Sequence, residues 1–219
     1  MRVEMKQIVF TSLVIALFLT FALMATADQA IVKVQSSVHP SLILAEKPAI
    51  AFFAFGRIWY SLGDKEKALA FFQKASEIDP SFAPAHHNQG VLFFELGELG
   101  KAEESFKRAI EKDPQYAPGY KSLGILYFQM QDFDNAIAQF SEYATLNHEN
   151  AEANFDLAQS YVARFRQNEP LFRQDYADLE NAQRYLKKAM EIDPSFPHAE
   201  KNWQVIEEIL RARQDILAR

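Results

Sequence analysis

The sequence predicts an all-α fold, an α-solenoid of stacked antiparallel helix hairpins with about four 34-residue repeats and a C-terminal capping helix. Three observations lead to this prediction. Residues of one type recur every 34 positions, apolar residues follow helical spacing within each period, and Gly or Asp-Pro separates the apolar stretches. Because one helix hairpin cannot bury both of its faces, stacked neighbours have to complete the core.

The 34-residue period is visible in several residue types at once. The pairs Asp79-Pro80 and Asp113-Pro114 are 34 residues apart. The same spacing separates sets of glycine, alanine and phenylalanine: Gly56, Gly90, Gly124; Ala68, Ala102, Ala136; Phe72, Phe106, Phe140. So many coincident positions indicate a tandem repeat.

Each period contains two apolar stretches of helical spacing. Gly63 and Gly97 fall between them, where a left-handed residue ends a helix. The predicted helices are 49–62, 65–79, 83–96, 99–112, 117–130 and 133–147. Small residues such as Gly90 would let the first helix approach the second closely, and a larger residue there would cost about 1–3 kcal/mol.

These motifs resemble the tetratricopeptide repeat. Leu123-Gly124 with Tyr127, and Leu157-Ala158 with Tyr161, match the first helix of that repeat, while Ala102, Phe106, Ala109 and Pro114 match the second. The resemblance covers about Ala49 to Pro194. It implies a right-handed solenoid with units 49–82, 83–116, 117–150 and 151–196, followed by a capping helix at 197–219.

Units three and four depart from the pattern. Gln131, Tyr143 and His148 replace the turn Gly, a small residue and the Pro, and Leu186 stands at an aromatic position, which predicts a weaker junction between these units. Unit four also has 12 extra residues, an insertion near 163–176. We interpret it as two helices lengthened by about two turns around a turn at 168–170. The resulting spur would carry Arg164, Arg166, Phe172 and Arg173, either as a binding element or as a charge-balanced, solvated one.

The N-terminal segment predicts export. Arg2 and Lys6 precede an uncharged apolar run at 8–24, and the small residues Ala25 and Ala27 follow. This order is typical of a signal peptide cut after Ala27, but the run is also long enough to approach an uncleaved membrane anchor. In both cases the remainder, beginning with a linker at 28–48, is expected outside the cytoplasm, whether in the periplasm, at the cell surface or secreted.

The resemblance also implies a concave groove lined by the first helix of each unit. The groove positions carried over are Ile50, Phe53, Arg57, Tyr60, His87, Asn88, Val91, Phe94, Lys121, Ser122, Ile125, Phe128, Phe155, Gln159 and Val162. They are mainly aromatic and aliphatic with a thin polar edge, so the expected ligand is an apolar or amphipathic segment of a partner protein. The alternative for each bulky residue is packing on the next helix as core.

One binding mode of the family is not expected. Members that grip acidic chaperone tails need several cationic donors to hold two carboxylates. In units one to three only Asn88 fits, with Arg57 as a substitute cation, because Pro118 and Ser122 stand where Lys and Arg are required. In units two to four Glu152 and Asp156 occupy those two positions.

Other function classes find little support. The net charge of −6 argues against nucleic acid, and the chain has no Cys. His86 and His87 are adjacent, so they cannot ligate a metal from one helix face. No phosphate loop or hydrolase motif occurs. We therefore expect no enzyme activity, no cofactor and no metal.

The capping helix has two apolar stripes. Trp203, Ile206, Leu210 and Leu217 form one, and Val205, Ile209 and Ile216 form the other. Either both belong to one wide buried face, or the second pairs with another copy in a homo-oligomer. The expected function is an exported or membrane-anchored interaction module that assists assembly of an envelope complex. The alternative is a scaffold that self-associates through the capping helix and the spur.

Overall fold

The computed structural model describes residues 47–167 and 176–218, which form nine α-helices and no β-strand. The helices are α1 Pro48–Ser61, α2 Lys65–Ile78, α3 Ala83–Glu95, α4 Leu99–Lys112, α5 Ala117–Gln129, α6 Phe133–Leu146, α7 Ala151–Gln167, α8 Ala177–Ile192 and α9 Ala199–Leu217. The first six begin and end within one residue of the predicted positions, and the all-α prediction is confirmed. The predicted signal or anchor at 1–27 and most of the linker lie outside the described residues. Within those residues, no helix is long and apolar enough to cross a membrane.

The chain divides into two compact units between Pro80 and Ser81. In the first unit, α1 and α2 pair as a hairpin around Phe72, which is 1% exposed. The Phe53 ring lies 5.4 Å from the Phe72 ring. This hairpin has the same internal design as those that follow.

The second unit contains the hairpins α3–α4, α5–α6 and α7–α8, with α9 packed on α8. One buried cluster runs from Phe106 through Leu126 and Phe140 to Leu157. A second cluster joins α7, α8 and α9 through Ala158, Leu186 and Ile206. The unit is therefore a stack in which each hairpin completes the core of the next.

The turns within the first three hairpins rely on one residue with positive φ. Gly63 and Gly97 have φ of 82° and 77°, the left-handed conformation that glycine adopts without steric cost. Gln131 takes the same place in the third hairpin with φ 60°. The turn geometry therefore persists where the glycine does not.

A glycine in each of the first three hairpins allows a buried phenylalanine to lie against the helix backbone. A Cβ added at Gly90 would lie 2.6 Å from two ring atoms of Phe106, and one at Gly124 would lie 2.8 Å from Phe140. The fourth hairpin has Ala158 and Leu186 at these positions, both 1% exposed and in one cluster. Leucine is smaller than the phenylalanine of the other hairpins, and alanine is larger than their glycine. The loss of volume at Leu186 is therefore compensated by the gain at Ala158.

The prediction of a weak junction between the third and fourth hairpins is wrong. Tyr143, in place of a small residue, is 7% exposed and belongs to the same buried cluster as Leu157 of α7. Two ion pairs also cross the junction, Lys121 with Glu152 at 2.8 Å and Arg164 with Asp134 at 2.6 Å. The larger tyrosine fills the junction instead of opening it.

The inserted segment does not lengthen both helices by two turns. α8 begins at Ala177, directly after its N-cap Tyr176, so it gains less than one turn over the second helices of the other hairpins, whereas α7 is described as far as Gln167. Arg164 is held by Asp178, with its Nε donating at 2.9 Å and its Nη2 at 2.5 Å, which agrees with the charge-balanced interpretation. The predicted turn at 168–170, Phe172 and Arg173 lie outside the described residues.

The capping helix packs through one of its two apolar stripes. Ile206 is 4% exposed, and Trp203 and Leu210 pack against the same cluster. Leu217 is 73% exposed, so its place in the packing stripe was predicted wrongly. The second stripe is exposed, with Val205 at 48%, so the two stripes do not form one wide buried face.

Candidate partner-binding face

The predicted groove residues of the second unit lie on the first helix of each hairpin and are all half-buried. We call them, together with Asp156, the first-helix face. Its members are His87, Asn88, Val91 and Phe94 on α3, Lys121, Ser122, Ile125 and Phe128 on α5, and Phe155, Asp156, Gln159 and Val162 on α7. Two contacts tie these helices together, His87 to Ser122 and Lys121 to Glu152. The described structure thus places them on adjacent helices.

The predicted groove residues of α1 belong to the first compact unit. Arg57 and Tyr60 are exposed, and Ile50 is 41% exposed. Phe53 is half-buried and packs on Phe72 of its own hairpin.

His87 is mainly a packing residue. Its Nε2 lies 2.9 Å from Ser122 Oγ, and its ring lies between the rings of Phe106 and Tyr116 at 5.6 and 5.4 Å. Burial lowers the pKa of His87 to about 4, so the imidazole is neutral near neutral pH. For this residue the core-packing alternative describes the contacts better than the groove prediction.

Four apolar side chains of the face combine packing with exposure. Val91, Phe94, Ile125 and Phe128 pack against the main cluster, yet each stays partly open to solvent. Phe128 meets Phe133 edge-on at 5.3 Å. A partly exposed apolar strip on two adjacent helices is a surface on which another apolar side chain can be buried.

The polar part of the face begins at Asn88. Its Nδ2 donates to the Pro84 carbonyl at 2.8 Å, which leaves Oδ1 as an acceptor. Further along, Lys121 pairs with Glu152 and lies 5.8 Å from the centre of the Tyr143 ring.

Asp156 is the unusual group of this face. Burial, and then the nearby Glu152 carboxylate, raise the pKa of Asp156 to about 6, while Lys121 acts in the opposite direction. Among the described residues no side chain or backbone group forms a hydrogen bond or ion pair with its carboxylate. The face therefore contains a half-buried carboxylate that its neighbours do not satisfy.

Phe155 behaves like His87. Its ring lies 5.1 Å from that of Phe196, just before α9, and it packs against the second cluster. Gln159 and Val162 follow on the same helix, half-buried. Phe155 is thus shared between packing and the face, whereas Gln159 forms no side-chain hydrogen bond within the described ranges.

Two apolar residues of α9 continue the face in sequence register. Val205 follows Pro194 by 11 residues, as Val91 follows Pro80 and Ile125 follows Pro114. Val205 and Ile209 are 48% and 40% exposed. The sequence prediction placed Val205 and Ile209 in the second stripe of the capping helix, either buried or paired with another copy, and treated Asp156 only as a departure from the acidic-tail clamp. The repeat register, counted from Pro194 for the first two and from His148 for Asp156, places all three on first-helix positions.

Two other features of the described residues were considered as binding sites, a surface depression and clusters of metal-ligating side chains. A shallow depression of about 420 Å³ lies among α6, α7 and α8, lined by residues such as Thr145, Tyr185 and Lys188. No three His, Asp or Glu side chains in the described ranges come together as metal ligands.

Four family models match the sequence. Three are described as tetratricopeptide repeat, at 83–116, 122–169 and 177–196, and one as TPR repeat at 56–97. The chain contains tetratricopeptide repeats. The third and fourth matches span the departures at Gln131 and Leu186, so the repeat identity extends through them.

Solved structures share the fold of these repeats. MamA has a TM-score of 0.61 at 21% identity, covering 74% of this chain and 88% of its own. YrrB, described as a TPR protein with an unusual peptide-binding site, has a TM-score of 0.63 at 21% identity, and the match covers 80% of this chain and 86% of YrrB. The first TPR of Spaghetti (RPAP3), bound to the HSP90 peptide SRMEEVD, has a TM-score of 0.51 at 22% identity, and the match covers 53% of this chain and 94% of that one. No curated protein sequence matches the chain.

Proposed function

We propose that the chain is a non-enzymatic protein–protein interaction module whose first-helix face binds an apolar or amphipathic segment of another protein. The observation that carries this proposal is the strip of Val91, Phe94, Ile125 and Phe128, apolar and partly exposed on adjacent helices. A helix or extended segment laid across such a strip buries apolar area on both sides. Peptide binding by YrrB and Spaghetti supports the proposal by analogy of fold.

Site-specific photocrosslinking tests this proposal without disturbing the packing. Benzoylphenylalanine in place of Phe94 or Phe128 keeps an aromatic ring at each position. The controls are Leu96 and Met130, which are 51% and 46% exposed at the ends of the same helices. We expect one common adduct from the two face positions in intact cells and none of it from the controls. Equal adducts at all four positions, or none at the face, would contradict the proposal.

We further propose that this module acts outside the cytoplasm, where it assists assembly of an envelope complex. Support comes from the basic residues, apolar run and small residues at 1–27. Fractionation of cells, with a high-salt wash and an N-terminal sequence of the product, tests it. A soluble product starting at Asp28 indicates cleavage, a salt-resistant membrane product indicates an anchor, and a cytoplasmic product with intact Met1 overturns export.

A second candidate function is a scaffold that self-associates through α9 and the inserted segment. The exposed stripe of Val205, Ile209 and Ile216 favours it, because exposed apolar stripes are common at helix–helix interfaces. Light scattering of the full chain measures its mass, alone and with Ile209→Glu and Ile216→Glu together. A dimer that the double substitution dissociates would support the scaffold, and a monomer in both samples would exclude it.

A further inference from the structure

The charges of the first-helix face are few and unequal. The Lys121 ammonium forms an ion pair with the Glu152 carboxylate at 2.8 Å, so this pair is neutral as a whole. His87 is uncharged near neutral pH, since burial lowers its pKa to about 4. The remaining charge of the face is the Asp156 carboxylate, one turn of α7 beyond Glu152. The face is apolar along α3 and α5 and negative on α7.

The position of Asp156 makes its charge available to a bound segment. The side chain is half-buried, so a ligand on the face would complete its removal from water. Within the described residues, the only hydrogen bond of this residue outside the helix ladder is accepted by its backbone oxygen, from Ser160 Oγ at 2.9 Å. Glu152, engaged with Lys121, cannot donate to it and adds negative charge. A group that relieves Asp156 has to come from outside and has to be a donor.

The free-energy cost of leaving the Asp156 carboxylate without a hydrogen-bond donor indicates which charge the ligand's donor group should carry. Burial raises the pKa of Asp156 to about 6, which means that the folded chain disfavours the charged form. A neutral donor would relieve part of this cost. An ammonium or guanidinium group would also supply the opposite charge, and charge-assisted hydrogen bonds are about twice as strong as neutral ones.

We propose that the segment bound on the first-helix face carries a Lys or Arg that pairs with Asp156, beside apolar residues that pack on Ile125 and Phe128. This inference rests on the proposed function and adds the sign of the ligand: an amphipathic, basic segment is accepted and an acidic one is rejected. A basic ligand group complements the charge of this face, because the face's own cation is already paired. Rejection of acidic segments follows because a third carboxylate beside Asp156 and Glu152 would be left unpaired.

Selection of short random peptides on the purified full-length chain tests the inference. The probes are the selected peptides themselves, measured for binding to the wild type and to Asp156→Asn, which keeps the shape and removes the charge. We expect enrichment of Lys and Arg, and a loss of roughly tenfold or more in affinity for Asp156→Asn. Glu104→Gln is the matched control, because Glu104 is an exposed carboxylate on α4 that pairs with Arg108.

The outcomes separate this inference from the proposed function. If the peptides compete with crosslinking at Phe94 but show no basic enrichment and bind Asp156→Asn equally, the charge inference is overturned and the binding face stands. If no peptide binds competitively with that crosslink, both are overturned. Asp156→Lys provides an independent readout, because it should select acidic peptides in place of basic ones. Each variant is first checked for an unchanged helical signal.

Discussion

Alanine in place of Gly90 tests the close approach of α3 and α4. The added Cβ would lie 2.6 Å from both Cδ1 and Cε1 of Phe106. Real carbon atoms in contact are separated by about 3.5–4.0 Å, so the ring has to move by roughly an ångström. Phe106 is 1% exposed and surrounded by the main cluster, which leaves little space for that movement.

Two opposing effects set the magnitude. Overpacking in a close-packed core costs about 2–3 kcal/mol at the upper part of its usual range. Gly→Ala in a helix contributes about 1 kcal/mol in the opposite direction. We therefore expect Gly90→Ala to lower the free energy of unfolding by about 1–2 kcal/mol. Gly100→Ala on α4 isolates the second effect, since its Cβ would meet nothing within 4 Å, and should stabilise the chain.

A second substitution tests whether Phe106 is the cause. Phe106→Leu with Gly90→Ala reproduces the Ala158 and Leu186 pair of the fourth hairpin. In a double-mutant cycle we expect a favourable coupling of about 1–2 kcal/mol. Urea unfolding followed by circular dichroism gives the four free energies. If Gly90→Ala and Gly100→Ala had the same free energy of unfolding, or if the coupling energy were near zero, the close contact between Gly90 and Phe106 would be refuted.

Three further predictions concern single side chains. The His87 imidazole should titrate near pH 4 by NMR. Its contribution of about 3 kcal/mol to the free energy of unfolding should be lost as pH falls from about 6.5 to 4. An NMR titration midpoint near 6.5 would contradict the burial of His87. Asp156→Asn should stabilise the chain by about 1–3 kcal/mol near pH 8 and have no effect near pH 3. The raised pKa of Asp156 favours the folded state only in acid, and that advantage is lost as pH rises through about 6. Urea midpoints of the variant equal to those of the wild type at both pH values would argue against this prediction. Gln131→Gly should raise the free energy of unfolding by about 0.5–1 kcal/mol by removing the steric cost of φ 60°, and a decrease would contradict that origin.

The helices and their turns could be predicted from the sequence because the signals for them are local. Apolar spacing, a turn residue and Asp-Pro recur in each period, so an error in one copy is corrected by the others. The insertion in the fourth hairpin has no second copy. The second of its helices was therefore predicted too long, since α8 begins only at Ala177.

The junction at Tyr143 shows what a pattern of residue types omits. A large residue at a small position looked like a defect, yet Tyr143 is buried with Leu157, and Lys121 lies over its ring. In the fourth hairpin, Leu186 goes with Ala158 in the same way. A repeat pattern shows the commonest residue type at each position. Packing depends on pairs of contacting residues, and both members of a pair can change together so that their combined volume is kept.

The same dependence on pairs explains which residues of the first-helix face pack against an aromatic ring of their own unit. His87 and Phe155 occupy one repeat position, and each contacts an aromatic ring at the end of its unit, Tyr116 and Phe196. Unit three has Asn150 at that place, where it caps α7 by accepting from the Ala153 N–H at 3.1 Å.

Without an aromatic ring from Asn150, Lys121 is left to reach Glu152 on the next helix, 2.8 Å away. That ion pair uses the cation that could otherwise have neutralised Asp156. The Lys121–Glu152 pair thus adds to the packing of Tyr143 with Leu157 at this junction, and it leaves Asp156 without a cation. It follows that Glu152→Gln, which removes the carboxylate that engages Lys121, should leave this cation available to Asp156 and reduce the preference of the face for basic peptides. An unchanged preference in the same peptide selection would show that the ion pair is not what sets the charge of the face.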